Sequence, residues 1–212
     1  TQLLHAVGIA LAAKIRKTGQ VAMTSMGEGS SNQGDVHEGL NFAAIHKLPF
    51  VFVVENNGYA ISVPAAMEVS VADVADRASG YGIPGVVVDG ADVLACYAAA
   101  RDAVARARAG DGPTLIEAKV TRLTGHSSDD QQTKYRSAEE LAAERGHDAL
   151  PRFHEQLREV LRREPKRPRQ EFPCPENSVL FKIITERKIA KHLKKCVVIR
   201  GPANIFQVFS PK

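Results

Sequence analysis

The chain has 212 residues, of which 44% are hydrophobic and 25% are charged, a composition ordinary for a soluble globular protein. The length allows one large domain or two small ones, and the composition excludes collagen-like, coiled-coil and wholly disordered proteins. No apolar run approaches the roughly 18 residues that a membrane-spanning helix needs, so we expect neither a membrane span nor an N-terminal signal peptide. Cys96, Cys174 and Cys196 are too few and too scattered to predict a disulfide framework or a zinc site.

Charge is distributed unevenly along the chain, although the formal net charge is only +4. Residues 1–161 contain 15 Lys and Arg against 20 Asp and Glu, whereas residues 162–212 contain 13 against 4. Four prolines lie between positions 165 and 175, and prolines at this density favour an extended linker. We therefore expect a folded domain at residues 1–163, followed by a Pro-rich, basic linker and tail at residues 164–212. Because the domain is acidic, neither nucleic acid nor a membrane is expected as its partner.

Helical and strand patterns alternate along the first three-quarters of the chain. We predict helices over residues 2–17, 35–47, 93–109, 138–145 and 151–160, and strands over residues 20–26, 50–54, 85–88 and 114–120. The run Phe50–Val54 has no polar residue, which is typical of an interior strand of a parallel sheet. Strict alternation predicts parallel crossovers and therefore an α/β fold with a doubly wound, mainly parallel sheet. The predicted buried faces are Leu4, Val7, Leu11 and Ile15 in the first helix and Leu40, Ala43, Ala44 and Leu48 in the second.

Glycine and polar residues follow each of the first two predicted strands, at Gly27–Ser31 and at Glu55–Tyr59. Ligands of open α/β sheets bind beyond the carboxyl ends of the strands, and directly paired strands would bring these two ends to about 5 Å. Glu28 and Asn57 are 29 residues apart, the length of one βαβ unit. A carboxylate, an amide oxygen and a turn carbonyl are hard oxygen donors that suit Mg²⁺, and the glycines would let backbone N–H groups approach a phosphate.

The first loop has three other interpretations. A P-loop needs Gly-Lys-Ser/Thr at its end, which this loop lacks. Gly27, Gly29 and Gly34 also miss the spacing of a dinucleotide fingerprint, but Glu55 stands where a ribose-binding acid would lie, so that interpretation stays open. A purely structural interpretation is a glycine turn before a helix whose N-cap is Asp35. The paired asparagines after the second strand favour a ligand site over this turn.

A Gly-acid-Gly loop followed 29 residues later by Asn-Asn resembles the thiamine diphosphate-binding motif of thiamine-dependent enzymes. The wider sequence closely resembles the α subunit of 2-oxoacid dehydrogenase complexes, over about residues 1–161. The stretches that carry the resemblance are residues 27–64, 76–97, 110–122 and 125–130. Glu28 replaces the aspartate of most relatives, as in branched-chain members of the family. The resemblance implies an incomplete thiamine diphosphate-binding fold, comprising its diphosphate-binding half, and a family chain that begins upstream of Thr1.

The resemblance also implies the roles of individual residues near the cofactor. The Glu28 carboxylate, the Asn57 side chain and the Tyr59 main-chain carbonyl would ligate Mg²⁺. Gly29 and Ser30 would contact the diphosphate.

A polar loop around His126 would complete the site. The family histidine at this position lies near the cofactor and is needed for acyl transfer to the lipoyl group, whereas a lone histidine in such a loop is most often simply exposed. Ser127, in the same loop, corresponds to the position phosphorylated in mammalian relatives. Outside this loop, Thr1 and Gln2 correspond to residues that hold a structural potassium ion in mammalian branched-chain enzymes. Charged and aromatic residues around the loop have two interpretations. They either order the loop through charge-assisted bonds or form a solvated charged surface, and they are Arg122, Asp129, Asp130, Tyr135 and Arg136.

The implied activity is that of a 2-oxoacid dehydrogenase, an oxidoreductase that decarboxylates a 2-oxoacid on thiamine diphosphate and transfers the acyl group to lipoamide. A branched-chain substrate is favoured over pyruvate. The implied partners are a β subunit, in a heterotetramer of two α and two β subunits, and the lipoyl domain of the dihydrolipoyl acyltransferase core. The alternative is a catalytically incompetent fragment that only docks on the β subunit. The expected location is the bacterial cytoplasm, or the mitochondrial matrix in a eukaryote.

The tail departs from the family after about residue 163. Ser178–Lys195 is predicted as a basic amphipathic helix and Cys196–Arg200 as a short strand. Such a tail would contact an acidic partner or a membrane surface, or it would be an extension with no selected role. The abrupt departure favours the extension.

Overall fold

A computed structural model describes residues 2–163, 197–200 and 205–208, and the predicted helix at Ser178–Lys195 lies outside these residues. The helices are α1 (Gln2–Ile15), α2 (Gly34–Ile45), α3 (Val93–Ala109), α4 (Ala138–Arg145) and α5 (Ala149–Arg163). The strands are β1 (Val21–Gly27), β2 (Phe50–Asn56), β3 (Tyr59–Ala60), β4 (Val63–Pro64), β5 (Gly85–Asp89), β6 (Thr114–Lys119), β7 (Val197–Arg200) and β8 (Ile205–Val208). Every helix and strand predicted in the first 163 residues is present, with ends shifted by a few residues.

One sheet has the strand order β5-β6-β2-β1-β7-β8. Its first four strands are parallel, which confirms the predicted α/β fold, whereas β7 runs antiparallel to β1 and β8 antiparallel to β7. The predicted strand at Cys196–Arg200 corresponds to β7. Because β2 lies between β1 and β6, its run of Phe and Val is buried on both faces. Gly27 pairs with Glu55, so the loops that follow β1 and β2 leave the sheet side by side.

Hydrophobic residues are buried on both faces of the sheet, as a doubly wound fold requires. On one face, α1, α2 and the 3₁₀ segment Val74–Tyr81 pack against Phe50, Phe52 and Val54. On the other face, α3 packs against Val51 and Ile116. Within the described residues, no helix is both long and apolar enough to cross a membrane.

The buried face of α1 differs from the predicted one. Leu4 and Ile15 are 40% and 71% exposed, and of the four predicted residues only Val7 is fully buried. A Cβ atom added to Gly39 of α2 would overlap the Leu3 side chain, which shows how closely the two helices approach. A helix face of small residues allows α1 and α2 to pack closely together, and this face is the buried one. The face with the larger aliphatic residues, which the periodicity predicted as buried, is therefore the wrong one. The residues that are buried are Leu3, Ala6, Val7, Ala10 and Ala13.

Candidate functional site

The loop after β1 folds back on itself before α2 begins. Glu28 has helical backbone angles, and residues Gly29–Asn32 form a single 3₁₀ turn. Both the backbone amide and the hydroxyl group of Ser31 donate hydrogen bonds to the Glu28 carbonyl, at 3.0 and 2.5 Å. The N-cap of α2 is Gln33 and not Asp35, the residue that the purely structural interpretation of the loop assigned to this position. Asp35 instead lies in the first turn of α2, where a carboxylate complements the helix dipole.

The Glu28 carboxylate faces the turn that follows β2, as the sequence predicts. Its Oε2 atom accepts a hydrogen bond from the Asn57 amide at 3.3 Å. The residue is only 1% exposed, and its Oε1 atom is buried with no hydrogen-bond partner. Burial raises the pKa of Glu28 despite hydrogen bonds from backbone amides, including those of Asn57 and Tyr59. The nearby Glu68 carboxylate raises this pKa further.

Residues Asn56–Tyr59 form a turn that both asparagine side chains stabilise. Asn56 Oδ1 accepts a hydrogen bond from the Gly58 amide at 2.9 Å, and Asn57 Oδ1 accepts one from the Tyr59 amide at 3.1 Å. Gly58 has a φ of +82°, a left-handed conformation that favours glycine. The Tyr59 carbonyl accepts from an Arg122 nitrogen at 3.4 Å. The predicted ligand oxygens of Asn57 and Tyr59 therefore each accept one hydrogen bond, and each oxygen keeps a second lone pair.

The backbone of Gly29 packs directly on the hairpin of β3 and β4. A Cβ atom at this position would overlap the Ala60 Cβ atom and lie 3.0 Å from Glu68 Oε2. That Glu68 oxygen is also buried and without a hydrogen-bond partner. Ser30, the other predicted diphosphate contact, is exposed. The loop thus offers a glycine backbone and a free hydroxyl group beside two carboxylates, each with a buried, unpartnered oxygen.

His126 and Ser127 are exposed in the loop after β6. The backbone amide of His126 donates to the Asp130 carboxylate at 2.7 Å, and the Tyr135 hydroxyl group donates to the same oxygen at 2.9 Å. The Ser127 hydroxyl group donates to Asp129 at 2.8 Å. The bond from the His126 amide holds the pKa of Asp130 below its usual value. Asp129, Asp130 and Tyr135 therefore form three of the hydrogen bonds expected to order this loop.

Arg122 connects this loop to the turn after β2. Its guanidinium group donates to the Tyr135 hydroxyl group at 3.2 Å, and also to the carbonyls of Ile61 and Tyr59. Among the described residues, no hydrogen bond or ion pair joins His126 directly to Glu28. Hydrogen bonds of Arg122 and Tyr135 therefore connect the loop of His126 to the turn that follows β2.

The Tyr59 ring forms a second connection between the same segments. The Arg136 guanidinium group lies over this ring, 4.9 Å from its centroid. The Tyr59 hydroxyl group and the Arg136 Nε atom both donate to Glu140 Oε1, at 2.8 and 2.9 Å. Arg136 also forms an ion pair with Glu144 at 2.5 Å. Arg136 is buried, and this network anchors α4 to the turn that carries Asn57.

Sequence reasoning missed two residues that contact these loops. Arg77 donates to the hydroxyl group and the carbonyl of Ser31 at 3.3 and 3.5 Å, and no local pattern signals this long-range contact. Glu117 is fully buried beside Asn56, and an acidic residue inside the apolar strand β6 was a visible signal. Of the two residues predicted to bind potassium, Thr1 lies outside the described residues. The other, Gln2, opens α1 with its side-chain nitrogen buried and without a partner.

The family model of the dehydrogenase E1 component matches residues 1–163. The chain belongs to this family. It is 54% identical over 160 residues to the 2-oxoisovalerate dehydrogenase subunit alpha of Bacillus subtilis, a match that covers 76% of this chain and 48% of that protein. It is 50% identical over 159 residues to the 3-methyl-2-oxobutanoate dehydrogenase subunit alpha of Mycobacterium tuberculosis, a match that covers 75% of this chain and 43% of that protein.

A further relative is the pyruvate dehydrogenase E1 component subunit alpha of Staphylococcus aureus, 45% identical over 157 residues, covering 74% of this chain and 42% of that protein. The chain thus spans less than half the length of these curated relatives. The predicted family is confirmed, and the two branched-chain relatives are more similar to this chain than the pyruvate relative.

Proposed function

We propose that this chain is the cofactor-anchoring part of a 2-oxoacid dehydrogenase α subunit. The observation that carries the proposal is the buried Oε1 atom of Glu28, which has no partner and lies at the strand ends where the Asn57 turn meets it. The names of the relatives support a branched-chain 2-oxoacid as substrate, with pyruvate as the alternative.

The donor atoms of this site suit Mg²⁺ bound to thiamine diphosphate. Glu28 Oε1, the Asn57 side-chain oxygen and the Tyr59 carbonyl would hold the metal, and hard oxygen ligands of this kind leave positions for phosphate oxygens. A divalent cation would remove the cost of a buried, unpartnered carboxylate. Gly29 and Ser30 would contact the diphosphate. When bound, thiamine diphosphate supplies the carbanion chemistry of decarboxylation, while the chain anchors and orients it.

His126 is the residue of this chain that would act at the reacting end. Its imidazole is exposed, and the ring nitrogens of an imidazole can donate or accept a proton, as acyl transfer to the lipoyl group requires. The loop bonds from Asp130 and Tyr135 would hold it in place. The acyl group would be transferred to the lipoyl domain of the acyltransferase core, which is the partner expected at this loop.

The proposed partner is a β subunit, in a heterotetramer of two α and two β subunits, and exposed apolar residues beside the site are consistent with an interface there. Ile61 and Met67, in and just after the β3–β4 hairpin, are 58% and 79% exposed. Large exposed apolar side chains next to a polar site are typical of a protein interface. The relatives are named as alpha subunits, which agrees with a partner of this kind.

Titration of thiamine diphosphate, by calorimetry with and without Mg²⁺, tests the proposal on the chain co-expressed with its β subunit. We expect Mg²⁺-dependent binding that Glu28→Ala abolishes and that Glu38→Ala, on the exposed face of α2, leaves unchanged. Retention of Mg²⁺-dependent binding by Glu28→Ala would show that the metal lies elsewhere. Absence of binding by the β-bound wild type would instead favour a fragment that only docks on the β subunit. Turnover of branched-chain 2-oxoacids against pyruvate then identifies the substrate.

A further inference from the structure

Glu117, in the middle of β6, is a fully buried carboxylate that the proposed chemistry does not use. Three donors surround it. Asn56 Nδ2 and Lys119 Nζ both lie 2.6 Å from its Oε1 atom, and the Ala75 amide donates to its Oε2 atom at 2.8 Å. A buried acid with a cation and two further donors is fully satisfied, and such networks fix the geometry of the groups they join.

One of these contacts leads directly to the candidate metal site. The Asn56 side chain donates to Glu117 with its nitrogen and accepts from the Gly58 amide with its oxygen, at 2.6 and 2.9 Å. The Asn56 carbonyl accepts from the Val120 amide at 2.8 Å. Asn56 is therefore fixed at both ends of its side chain and at its backbone. The two predicted ligands that follow, Asn57 and Tyr59, lie on the turn that this residue closes.

A second contact leads away from the site. Ala75 lies in the first turn of the 3₁₀ segment Val74–Tyr81, and the bond from its amide connects this segment to Glu117 of the sheet. Lys119 extends the network to Asp73 at 2.7 Å, and although burial lowers the pKa of Lys119, its bonds to Asp73 and Glu117 raise it above the usual value. Glu117 therefore has one connection to the turn and another that is purely structural.

We propose that Glu117 is a positioning residue for the metal site. It orients the Asn56 side chain, which holds the Gly58 amide and thereby places the oxygens of Asn57 and Tyr59 opposite Glu28. The identity of the bound group rests on the proposed function, but the effect of Glu117 on the turn does not. Partners that orient the ligands of a metal site typically change metal affinity by about 10- to 100-fold when they are removed.

Solution NMR of the isotope-labelled chain without cofactor tests the positioning step. In Glu117→Gln, an amide cannot accept at both former oxygens, so the side-chain amide signals of Asn56 and the backbone signals of Asn57 and Gly58 should shift. Asn56→Ala should move the same Asn57 and Gly58 signals, and it keeps the test decisive if Glu117→Gln does not fold. The matched control is Asp73→Asn, which disturbs the structural connection and should leave the Asn56 side-chain signals in place. Unchanged Asn56 and Gly58 signals in folded Glu117→Gln would overturn the proposal.

Mg²⁺-dependent binding of thiamine diphosphate by the β-bound chain tests the consequence for the site. Glu117→Gln and Asn56→Ala should each weaken it by about tenfold or more, and the double variant should lose no more than the single ones, because both act through one contact. Asp73→Asn should bind as the wild type does. Independent, multiplying losses would overturn the proposal, since a merely structural role predicts them. If the wild type itself fails to bind the cofactor, the proposed function is wrong, and the NMR result still decides the positioning role.

Discussion

Burial of Glu28 makes a proton and a divalent cation compete for one carboxylate. In the free chain, burial raises the pKa of Glu28 above the ordinary value of 4.5, and the Glu68 carboxylate raises it further. The ionised form is therefore less favourable in the folded chain than in the unfolded chain. A bound cation would reverse this preference, because it stabilises the ionised carboxylate.

We expect Glu28→Gln to change how the stability of the free chain depends on pH. Since the folded pKa is raised, the unfolded state binds fewer protons, and the wild type loses stability as the pH rises from about 4.5 through the folded pKa. Each pKa unit corresponds to about 1.4 kcal/mol. The free energy of unfolding, measured with urea between pH 4 and 8, should become higher for Glu28→Gln than for the wild type as the pH rises. If the free energies of unfolding of the two proteins changed in parallel with pH, a raised pKa of Glu28 would be contradicted. Mg²⁺ should reduce the difference in stability between Glu28→Gln and the wild type, because it stabilises only the wild type.

Gly29 illustrates a position where the backbone itself occupies the space that a side chain needs. Gly29→Ala should destabilise the chain by about 1–3 kcal/mol, because the new methyl group overlaps Ala60 and forces the loop away from the hairpin. It should also weaken the binding of thiamine diphosphate. Gly34→Ala is the matched control, since nothing lies within 4 Å of its Cβ position, and it should be neutral or slightly stabilising. Thermal unfolding compares the two, and equal effects would show that the overlap is relieved without cost.

At the scale of the elements, alternation and turn residues were sufficient to predict the four parallel strands of the sheet. The apolar run of β2 and the breakers around it determine a central parallel strand, and the βαβ length then places Glu28 and Asn57 at neighbouring strand ends. What the sequence could not show is which residues meet across long separations. The contacts of Arg77 with Ser31 and of Arg122 with Tyr59 depend on packing between segments that are distant in the chain.

The first helix shows why a hydrophobic pattern can mark the wrong face. Leu4 and Leu3 are neighbours of identical chemistry, yet Leu3 is fully buried and Leu4 is 40% exposed. Periodicity favours the face with the largest aliphatic residues, whereas α1 packs through alanines against α2 and β1. Burial by close approach therefore outweighs side-chain size in this helix.

Leu3→Ala and Leu4→Ala form a matched pair that tests the corrected face. Leu3→Ala should lower the free energy of unfolding by about 2–5 kcal/mol, because it leaves a cavity between α1 and Gly39. Leu4→Ala should cost well under half as much, since part of its side chain already contacts water. Urea unfolding of both variants measures the difference. A larger loss in Leu4→Ala would restore the face that the periodicity favours.

For the whole molecule, the functional residues and the excess positive charge lie in different parts of the chain. Residues 1–163 contain 17 Lys and Arg against 20 Asp and Glu, and they include every candidate ligand from Glu28 to His126. The tail adds the basic residues and supplies β7, which pairs with Val21, Ala22 and Met23 of β1. Of the tail residues that the structure describes, β7 thus covers part of the sheet edge formed by β1.

A chain that ends at residue 163 should separate these two contributions. Bound to the β subunit, it should keep the affinity of the full chain for thiamine diphosphate, because no candidate ligand is removed. Alone, it should self-associate more than the full chain, because unpaired N–H and C=O groups along β1 can pair with another molecule. Sedimentation velocity at equal concentrations measures this, in low salt and again in about 0.5 M salt, which screens charge interactions. Association that persists in high salt supports edge pairing, association that disappears there arises from the changed charge, and a monomer in both conditions would show that β1 is not left open.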